Sequence, residues 1–268
     1  MNLLNILDKL SDDQFFTKMT SRSEGLSDIA NFGRKAAIAS IPLGLGSFMA
    51  TSAKAETTKD SVSAASDLIG ALQLALTLEY LEDEYYRTGL AKSGLIPAGD
   101  KVVFQQISKH ETAHVAFLKA TLSSLGTSPG SKPTFDFTVG GTFQPFDDYQ
   151  QFMILAQAFE DTGVRAYKGQ AGNVASNKGV LQAALQIHSV EARHASQVRR
   201  MRANKGWIEL KDGGRMPAET DAVYAGEENI MQAGFNTSSL FGAPAGSASF
   251  DEILSGDDAS AIARLFIV

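Results

Sequence analysis

Residues 111–118 read ETAHVAFL and residues 191–198 read EARHASQV, so each stretch begins with the tetrapeptide Glu-x-x-His. A spacing of three places the glutamate and the histidine on one face of a helix, about one turn apart. Both copies lie within long stripes of apolar residues that recur every three or four positions, which is the period of an α-helix. A carboxylate in such a stripe is costly to bury unless it is paired or binds a metal. These two stretches therefore indicate both the fold and the candidate chemistry.

Two further apolar stripes carry one central glutamate each. Glu79 lies within a predicted helix over residues 66–89, and Glu160 lies within the stripe that runs from Met153 to Ala171. Four helices of about 25 residues would each be about 38 Å long. Because each is apolar on one face, together they predict an all-α four-helix bundle over residues 59–205.

The connections between the helices predict the topology. The second helix is expected to begin near Pro97 and to end at Gly126, and Asp147-Asp148 are candidate N-caps of the third. The first and third connections are short, so the helices form two antiparallel hairpins. Residues 127–145 join the hairpins and can reach about 60 Å when extended, so a long crossover is predicted. Within it, residues 135–137 (FDF) are expected to form a brief extended segment against the bundle.

The two predicted hairpins look like copies of each other. Glu79 is followed seven residues later by Tyr86, and Glu160 is followed seven residues later by Tyr167. This register favours Glu79 over Glu82 as the central glutamate of the first helix, because the counterpart of Glu82 is a glycine. We therefore interpret Glu82 as a solvated group or a neighbour of the site, and expect an approximate twofold axis between the hairpins.

The composition limits the chemistry that is open to the chain. Its 268 residues include 30 acidic and 24 basic side chains, for a net charge of −6, which argues against a nucleic-acid-binding protein. The absence of cysteine excludes disulfide scaffolds, cysteine-bound zinc, iron–sulfur clusters and thiol nucleophiles. Any metal must therefore be held by carboxylates and by the four histidines, His110, His114, His188 and His194.

Six side chains of the predicted core are candidate metal ligands. They are Glu79, Glu111, His114, Glu160, Glu191 and His194. Four carboxylates and two imidazoles suit two divalent ions of iron, or of manganese, better than a closed tetrahedral zinc site. We expect Glu111 and Glu191 to bridge the ions, with Glu79 and Glu160 each binding one. The alternative is a cluster without metal, in which histidines and arginines neutralise four buried glutamates.

Four more side chains are assigned auxiliary roles. Tyr86 and Tyr167 lie two turns from the glutamates, where a phenol could hydrogen-bond a ligand or donate an electron, although a plain core tyrosine fits equally well. His110 and His188 are candidates for contacts with the ligands from outside, and a packed or surface histidine is the alternative for both.

The core helices resemble the ferritin-like superfamily and, within it, the bacterial ferritin-like domain proteins of the desiccation-related type. The matching segments are LEYLEDEYY (78–86), ETAHVAFL (111–118), AFEDTGVRAYK (158–168), Glu191 to His194 and FDE (250–252). The resemblance implies a non-haem di-iron site, built from the six ligands, that oxidises Fe(II) with oxygen or peroxide. Relatives often carry an acid just before each Glu-x-x-His that orients the opposite histidine. Here these positions are His110 and Val190.

The two ends of the chain are read as extensions of the bundle. Residues 1–58 form a tail in which the apolar run 36–50 and the small-x-small site 53–55 have the layout of an export signal. This run is too short to span a bilayer, which needs about 20 apolar residues. Export would place the protein in the periplasm or cell envelope, and a structural role for the segment would leave it in the cytoplasm. Residues 206–268 are expected to pack on the bundle through short helices near 224–232 and 251–266.

The leading hypothesis is a di-metal carboxylate protein that consumes oxygen or peroxide and so limits oxidative or desiccation damage. Its partners would be Fe(II) and oxygen or peroxide, with no nucleic acid and no membrane span. The alternatives are a non-catalytic stress protein with a structural or vestigial metal, and an iron-storage cage. The sequence leaves open whether the chain turns over and whether it forms a homo-oligomer. Basic residues at 193, 199, 200 and 202 are read as offsetting the dipole at the end of the fourth helix.

Overall fold

The computed structural model describes the backbone of residues 58–268 and the side chains from residue 67 onward. The tail and the export segment predicted at 36–55 lie outside these residues. Within the described part, no helix combines the length and the apolar character that a membrane crossing requires.

Four long helices form the core of the described chain, and they confirm the predicted all-α four-helix bundle. They are α1 (Thr58–Ala91), α2 (Ala98–Ser124), α3 (Tyr149–Gln170) and α4 (Lys178–Met201). Helix α1 packs along α2 and α3 packs along α4, while α1 also contacts α3 and α2 contacts α4. Helix α1 begins at Thr58, earlier than the predicted start near residue 66. The prediction missed these two turns because residues 58–65 (TKDSVSAA) are mostly polar or small and show no apolar stripe.

The helix ends follow ordinary capping chemistry. The carboxylate of Asp148 accepts hydrogen bonds from the backbone N–H groups of Gln150 (2.7 Å) and Gln151 (3.2 Å), as an N-cap does. Pro97 is the N-cap of α2, one position before the first helical residue. After α2, Gly126 has a φ of 74°, a left-handed conformation that glycine adopts without strain.

The crossover between α2 and α3 pairs with the C-terminus of the chain. Phe135 forms an antiparallel bridge with Ile267. The backbone N–H of Asp136 donates to the carbonyl of Phe266 (2.8 Å). The ring of Phe137 is buried in the core. The extended segment predicted at 135–137 is therefore present, with the chain end as its partner.

The C-terminal extension contains seven short elements. They are a 3₁₀ turn (Ala218–Thr220), α5 (Asp221–Tyr224), β1 (Met231–Gln232), β2 (Phe235–Asn236), α6 (Ser238–Phe241), α7 (Ala243–Ser247) and α8 (Gly256–Arg264). Helix α8 packs on α1 and α3. The helix predicted near 224–232 is wrong, because Gly226 has a φ of 92° and the chain then turns into the β1–β2 hairpin.

Two apolar layers enclose the middle of the bundle. One contains Tyr85, Tyr86, Phe104, Phe152 and Val198, and the other contains Leu72, Leu76, Leu118, Leu122 and Val180. The charged residues at the centres of the four helices lie between these layers. The fold therefore holds them in a region from which water is largely excluded.

Candidate metal centre

The six predicted ligands come together from all four helices. All four glutamates have an exposed fraction of 0%, and the two histidines are 9% and 6% exposed; the set is Glu79, Glu111, His114, Glu160, Glu191 and His194. Buried ionisable groups at this density need counter-charges or a metal. The described residues form two groups suited to a metal ion, and these six side chains supply every member of both.

The first group surrounds His114. Its Nδ1 lies 3.2 Å from Oε2 of Glu79, 3.0 Å from Oε2 of Glu111 and 3.1 Å from Oε1 of Glu191. The ligand atoms of this group lie within 4.8 Å of one another. One imidazole nitrogen and three carboxylate oxygens thus converge on a single position.

The second group repeats this arrangement around His194. Its Nδ1 lies 3.1 Å from Oε2 of Glu160, 3.1 Å from Oε1 of Glu111 and 3.3 Å from Oε2 of Glu191. Glu111 and Glu191 therefore offer one oxygen to each group, whereas Glu79 and Glu160 belong to one group each. This is the arrangement expected for two bridging and two terminal carboxylates.

Hydrogen bonds within the cluster do not satisfy its acceptors. An imidazole nitrogen carries at most one hydrogen, yet each Nδ1 faces oxygens of three glutamates. Among the described atoms, Oε1 of Glu111 and Oε1 of Glu191 are buried and accept no aligned hydrogen bond. Buried acceptors are normally satisfied, and these two oxygens leave acceptor capacity that a cation could take up. A pair of divalent ions bound by oxygen and nitrogen fits this set of donors.

The two tyrosines bind the terminal glutamates in a crossed pattern. The hydroxyl of Tyr86 on α1 donates to Oε1 of Glu160 on α3, at 2.5 Å. The hydroxyl of Tyr167 on α3 donates to Oε1 of Glu79 on α1, also at 2.5 Å. Burial, followed by the charge of these carboxylates, raises the pKa of both phenols, so they remain protonated donors. Each terminal glutamate therefore has one oxygen held by a phenol and the other facing a histidine.

Glu82 lies inside the protein, beside the cluster. Its side chain is 3% exposed, so the solvated alternative does not hold. Its Oε1 lies 3.4 Å from the point that a Cβ on Gly163 would occupy. The glycine at the counterpart position thus makes room for the carboxylate of Glu82. Burial, and then the charges of Glu191 and Glu160, raise the pKa of Glu82 well above its ordinary value.

His110 and His188 take different positions. Nδ1 of His110 lies 2.8 Å from Nε2 of His194, and the two rings meet edge to edge with their centroids 5.1 Å apart. The side-chain amide of Gln106 lies 2.7 Å from Nε2 of His110. The hydrogen bond of His188 goes instead to the carbonyl oxygen of Val164, at 2.9 Å. His110 thus contacts a predicted ligand, whereas His188 links α4 to the backbone of α3.

A buried charged network was missed by the sequence reasoning. Arg199 donates to both carboxylate oxygens of Asp161 (3.1 and 2.5 Å), and Tyr224 donates to one of them (2.8 Å). Arg165 pairs with Glu227 at 2.7 Å. The interpretation of Arg199 as a helix-dipole partner is therefore incomplete. Asp161 and Arg165 lie close to Glu160 in sequence, but their partners lie on α4 and in the C-terminal extension, where periodicity could not place them.

We expect the metal-free protein to lose stability as the pH rises from about 5 to 8. Burial raises the pKa of Glu160 from 4.5 to about 7 against the opposing charge of His194. For His114, burial lowers the pKa, but the close carboxylates of Glu111, Glu191 and Glu79 outweigh it and raise the pKa from 6.5 to about 12. Both groups then keep protons that the unfolded chain has lost, Glu160 between pH 4.5 and 7 and His114 above 6.5.

Each such group lowers the free energy of unfolding by up to about 1.4 kcal/mol per pH unit within its window. Urea denaturation of chelator-treated protein at pH 5, 6.5 and 8 measures this slope. Glu160→Gln should reduce the loss below pH 7 and preserve the loss above it. A stability that rises steadily across this range would contradict the assignment.

The comparisons with known proteins agree with this architecture. Residues 67–204, just over half of the 268-residue chain, match the family model described as a ferritin-like domain. The matched range contains all six residues of the cluster. No curated protein matches the chain.

Proposed function

We propose that this chain, which belongs to the ferritin-like domain family, binds two iron ions at the six-residue cluster and oxidises Fe(II) with oxygen or peroxide. The observation that supports this most directly is that each buried Nδ1 faces oxygens of three glutamates. That surplus of acceptors is what a cation at each position would balance. When bound, the ions would supply the change of oxidation state, with manganese as the alternative metal.

The protein itself supplies charge balance and a dry environment. Four ionised glutamates nearly neutralise two divalent charges, so a loaded centre need not hold a large net charge between the apolar layers. Glu111 and Glu191, which face both groups, would bridge the ions, while Glu79 and Glu160 would each bind one. Removal of oxygen or peroxide by such a centre would limit oxidative damage during stress. Export to the cell envelope stays a prediction from residues 36–55.

The tyrosines are proposed to orient the terminal ligands. In Tyr86→Phe, Glu160 loses its phenol partner, and a hydrogen bond to a charged group contributes about 1.5–3 kcal/mol. We therefore expect this variant to bind Fe(II) anaerobically about 10- to 100-fold more weakly, as measured by calorimetry. Tyr80→Phe is the matched control, because the Tyr80 hydroxyl donates to the carbonyl of Gly130 outside the cluster. Equal affinities in the two variants would contradict an orienting role for Tyr86.

The function is tested by metal content and oxygen consumption together. Protein purified without oxygen is analysed for metal, reconstituted with Fe(II) and placed in an oxygen electrode or in contact with peroxide. Two ions per chain with consumption of oxidant support the proposal. Two ions without consumption favour the non-catalytic alternative, and no ion at neutral pH contradicts the site and the activity together.

The metal-free alternative has its own physical basis. Burial raises the pKa of Glu191, but the close imidazoles of His114 and His194 outweigh it and lower that pKa to about 2. A glutamate between two imidazolium groups could balance part of the cluster without an ion. The same elemental analysis separates these two states.

A further inference from the structure

The two halves of the cluster differ in what supports their histidines. His194 has an outer partner, His110, whose Nδ1 lies 2.8 Å from its Nε2. In the internal repeat, position 110 precedes Glu111 as position 190 precedes Glu191, and residue 190 is valine. Valine can neither donate nor accept a hydrogen bond. In the described part of the chain, all hydrogen bonds of His114 are made by Nδ1, on the side of the glutamates.

If Nδ1 of His194 faces a cation, the hydrogen positions on both imidazoles, His194 and His110, follow from their contact. That nitrogen is then unprotonated, so Nε2 of His194 carries the hydrogen and donates it to Nδ1 of His110. His110 in turn carries its hydrogen on Nε2, where the side-chain amide of Gln106 lies; its nitrogen is 2.7 Å away, and a half-turn of the amide exchanges nitrogen for oxygen, which then accepts this hydrogen. The planes of the two rings, which meet edge to edge, are inclined by only 11°, and this keeps the contact aligned. His194 is thus held in one tautomer and orientation by residues of α2.

We propose that His110 is a positioning residue that makes the two metal positions unequal, so that the position at His194 fills first. This inference rests on the proposed binding of two ions. Outer partners of a metal-binding histidine contribute about 10- to 100-fold in affinity. Among the residues that the structure describes, one of the two positions has such a partner and the other has none, because the repeat is broken at residues 110 and 190. The second ion would then enter the position formed by Glu79 and His114.

Two variants remove the difference between the halves of the cluster, one by deleting the outer histidine and the other by adding a second one. His110→Val copies residue 190 and removes the outer partner, whereas Val190→His copies residue 110 and introduces an imidazole beside the other half. Both positions are only partly buried, so neither change opens a cavity in the core. His110→Gln is the conservative variant, since its amide still offers an acceptor to Nε2 of His194.

The experiment titrates each metal-free protein anaerobically with Co(II) and counts the bound ions by native mass spectrometry. At one equivalent, the wild type should be mainly the one-ion form. In His110→Val, the ratio of the two stepwise affinities should fall about 10- to 100-fold. The forms with no ion and with two ions should then become more abundant. Val190→His should also reduce the ratio, by strengthening the second step, and His110→Gln should restore most of the wild-type distribution.

A second readout separates positioning from a general loss of structure. The visible absorption spectrum of the first bound Co(II) should change in His110→Val and return in His110→Gln, while the circular dichroism of the metal-free proteins stays the same. Two ions bound with the same stepwise ratio in all four proteins would overturn this inference and leave the proposed function standing. If the wild type binds no ion, both are overturned.

Discussion

Glu111→Gln is expected to abolish binding of the ion pair and, with it, consumption of oxygen in the presence of Fe(II). Glu111 offers Oε2 to the group at His114 and Oε1 to the group at His194, so one substitution removes an anionic ligand from both. A neutral amide cannot bridge two divalent ions and offset their repulsion. Elemental analysis should show fewer than two ions per chain, and oxygen uptake should fall to the rate of Fe(II) alone.

The same substitution should leave the metal-free fold nearly unchanged. Burial and the charge of Glu191 raise the pKa of Glu111 well above its ordinary value, which favours the neutral carboxyl group when no metal is present. Glutamine resembles that neutral form in size and shape. We therefore expect the free energy of unfolding of metal-free Glu111→Gln to stay within about 1 kcal/mol of the wild type.

Glu191→Gln provides the contrast within the same cluster. The close imidazoles of His114 and His194 keep the pKa of Glu191 at about 2 despite its burial, so the metal-free protein holds it ionised between them. Its loss should destabilise the metal-free protein by about 3 kcal/mol and should also remove metal binding. Glu84→Gln, on the outer side of α1 beside Lys132, should change neither the free energy of unfolding of the metal-free protein nor its metal binding. Normal metal content and oxygen uptake in Glu111→Gln would contradict the bridging assignment.

Arg165→Met is expected to lower the free energy of unfolding by about 3–5 kcal/mol, because it leaves Glu227 as an unpaired buried charge. The Arg165 side chain is 1% exposed. Its guanidinium also donates to backbone carbonyl oxygens of the C-terminal extension, at Val223, Ala225, Glu252 and Ile253. The variant should therefore loosen the extension first. Urea denaturation gives the energy, and limited proteolysis should cut within residues 206–268 before the bundle.

Two further variants test the cause of that loss. Arg165→Met combined with Glu227→Leu removes both charges and should recover part of the stability, since the remaining side chains are apolar. Arg193→Met changes an exposed arginine on α4 and should shift the free energy of unfolding by less than about 0.5 kcal/mol. An Arg165→Met protein that unfolds like the wild type would show that the extension does not depend on this ion pair.

Much of the bundle was predictable because its information is local. The apolar period of each helix, Asp148 as an N-cap and the Glu-x-x-His spacing each depend on residues within a few turns of one another. The start of α1 was missed because its first two turns have no apolar stripe to mark a buried face. The helix predicted near 224–232 failed because a left-handed glycine redirects the chain there.

The features of the candidate site also divide into those that follow from one helix and those that depend on packing between helices. The internal repeat was sufficient to choose Glu79 over Glu82, but not to show that Glu82 is buried against Gly163. Periodicity places a side chain on one face of its own helix and carries no information on its partner across the bundle. The crossed hydrogen bonds of Tyr86 and Tyr167 and the contact of His110 with His194 are all of this second kind.

By itself, the sequence determined that four helices carry one glutamate each at their centres, that two of them add a histidine, and that no thiol is available. These properties follow from residue type and from the fixed geometry of a single helix. Only the tertiary structure decided which oxygen faces which histidine, which acceptors remain unsatisfied, and that His110 contacts His194 from outside the cluster. Such relations depend on how helices distant in sequence pack together, because hydrogen bonds and ion pairs require distances of about 3 Å that spacing along one helix cannot specify.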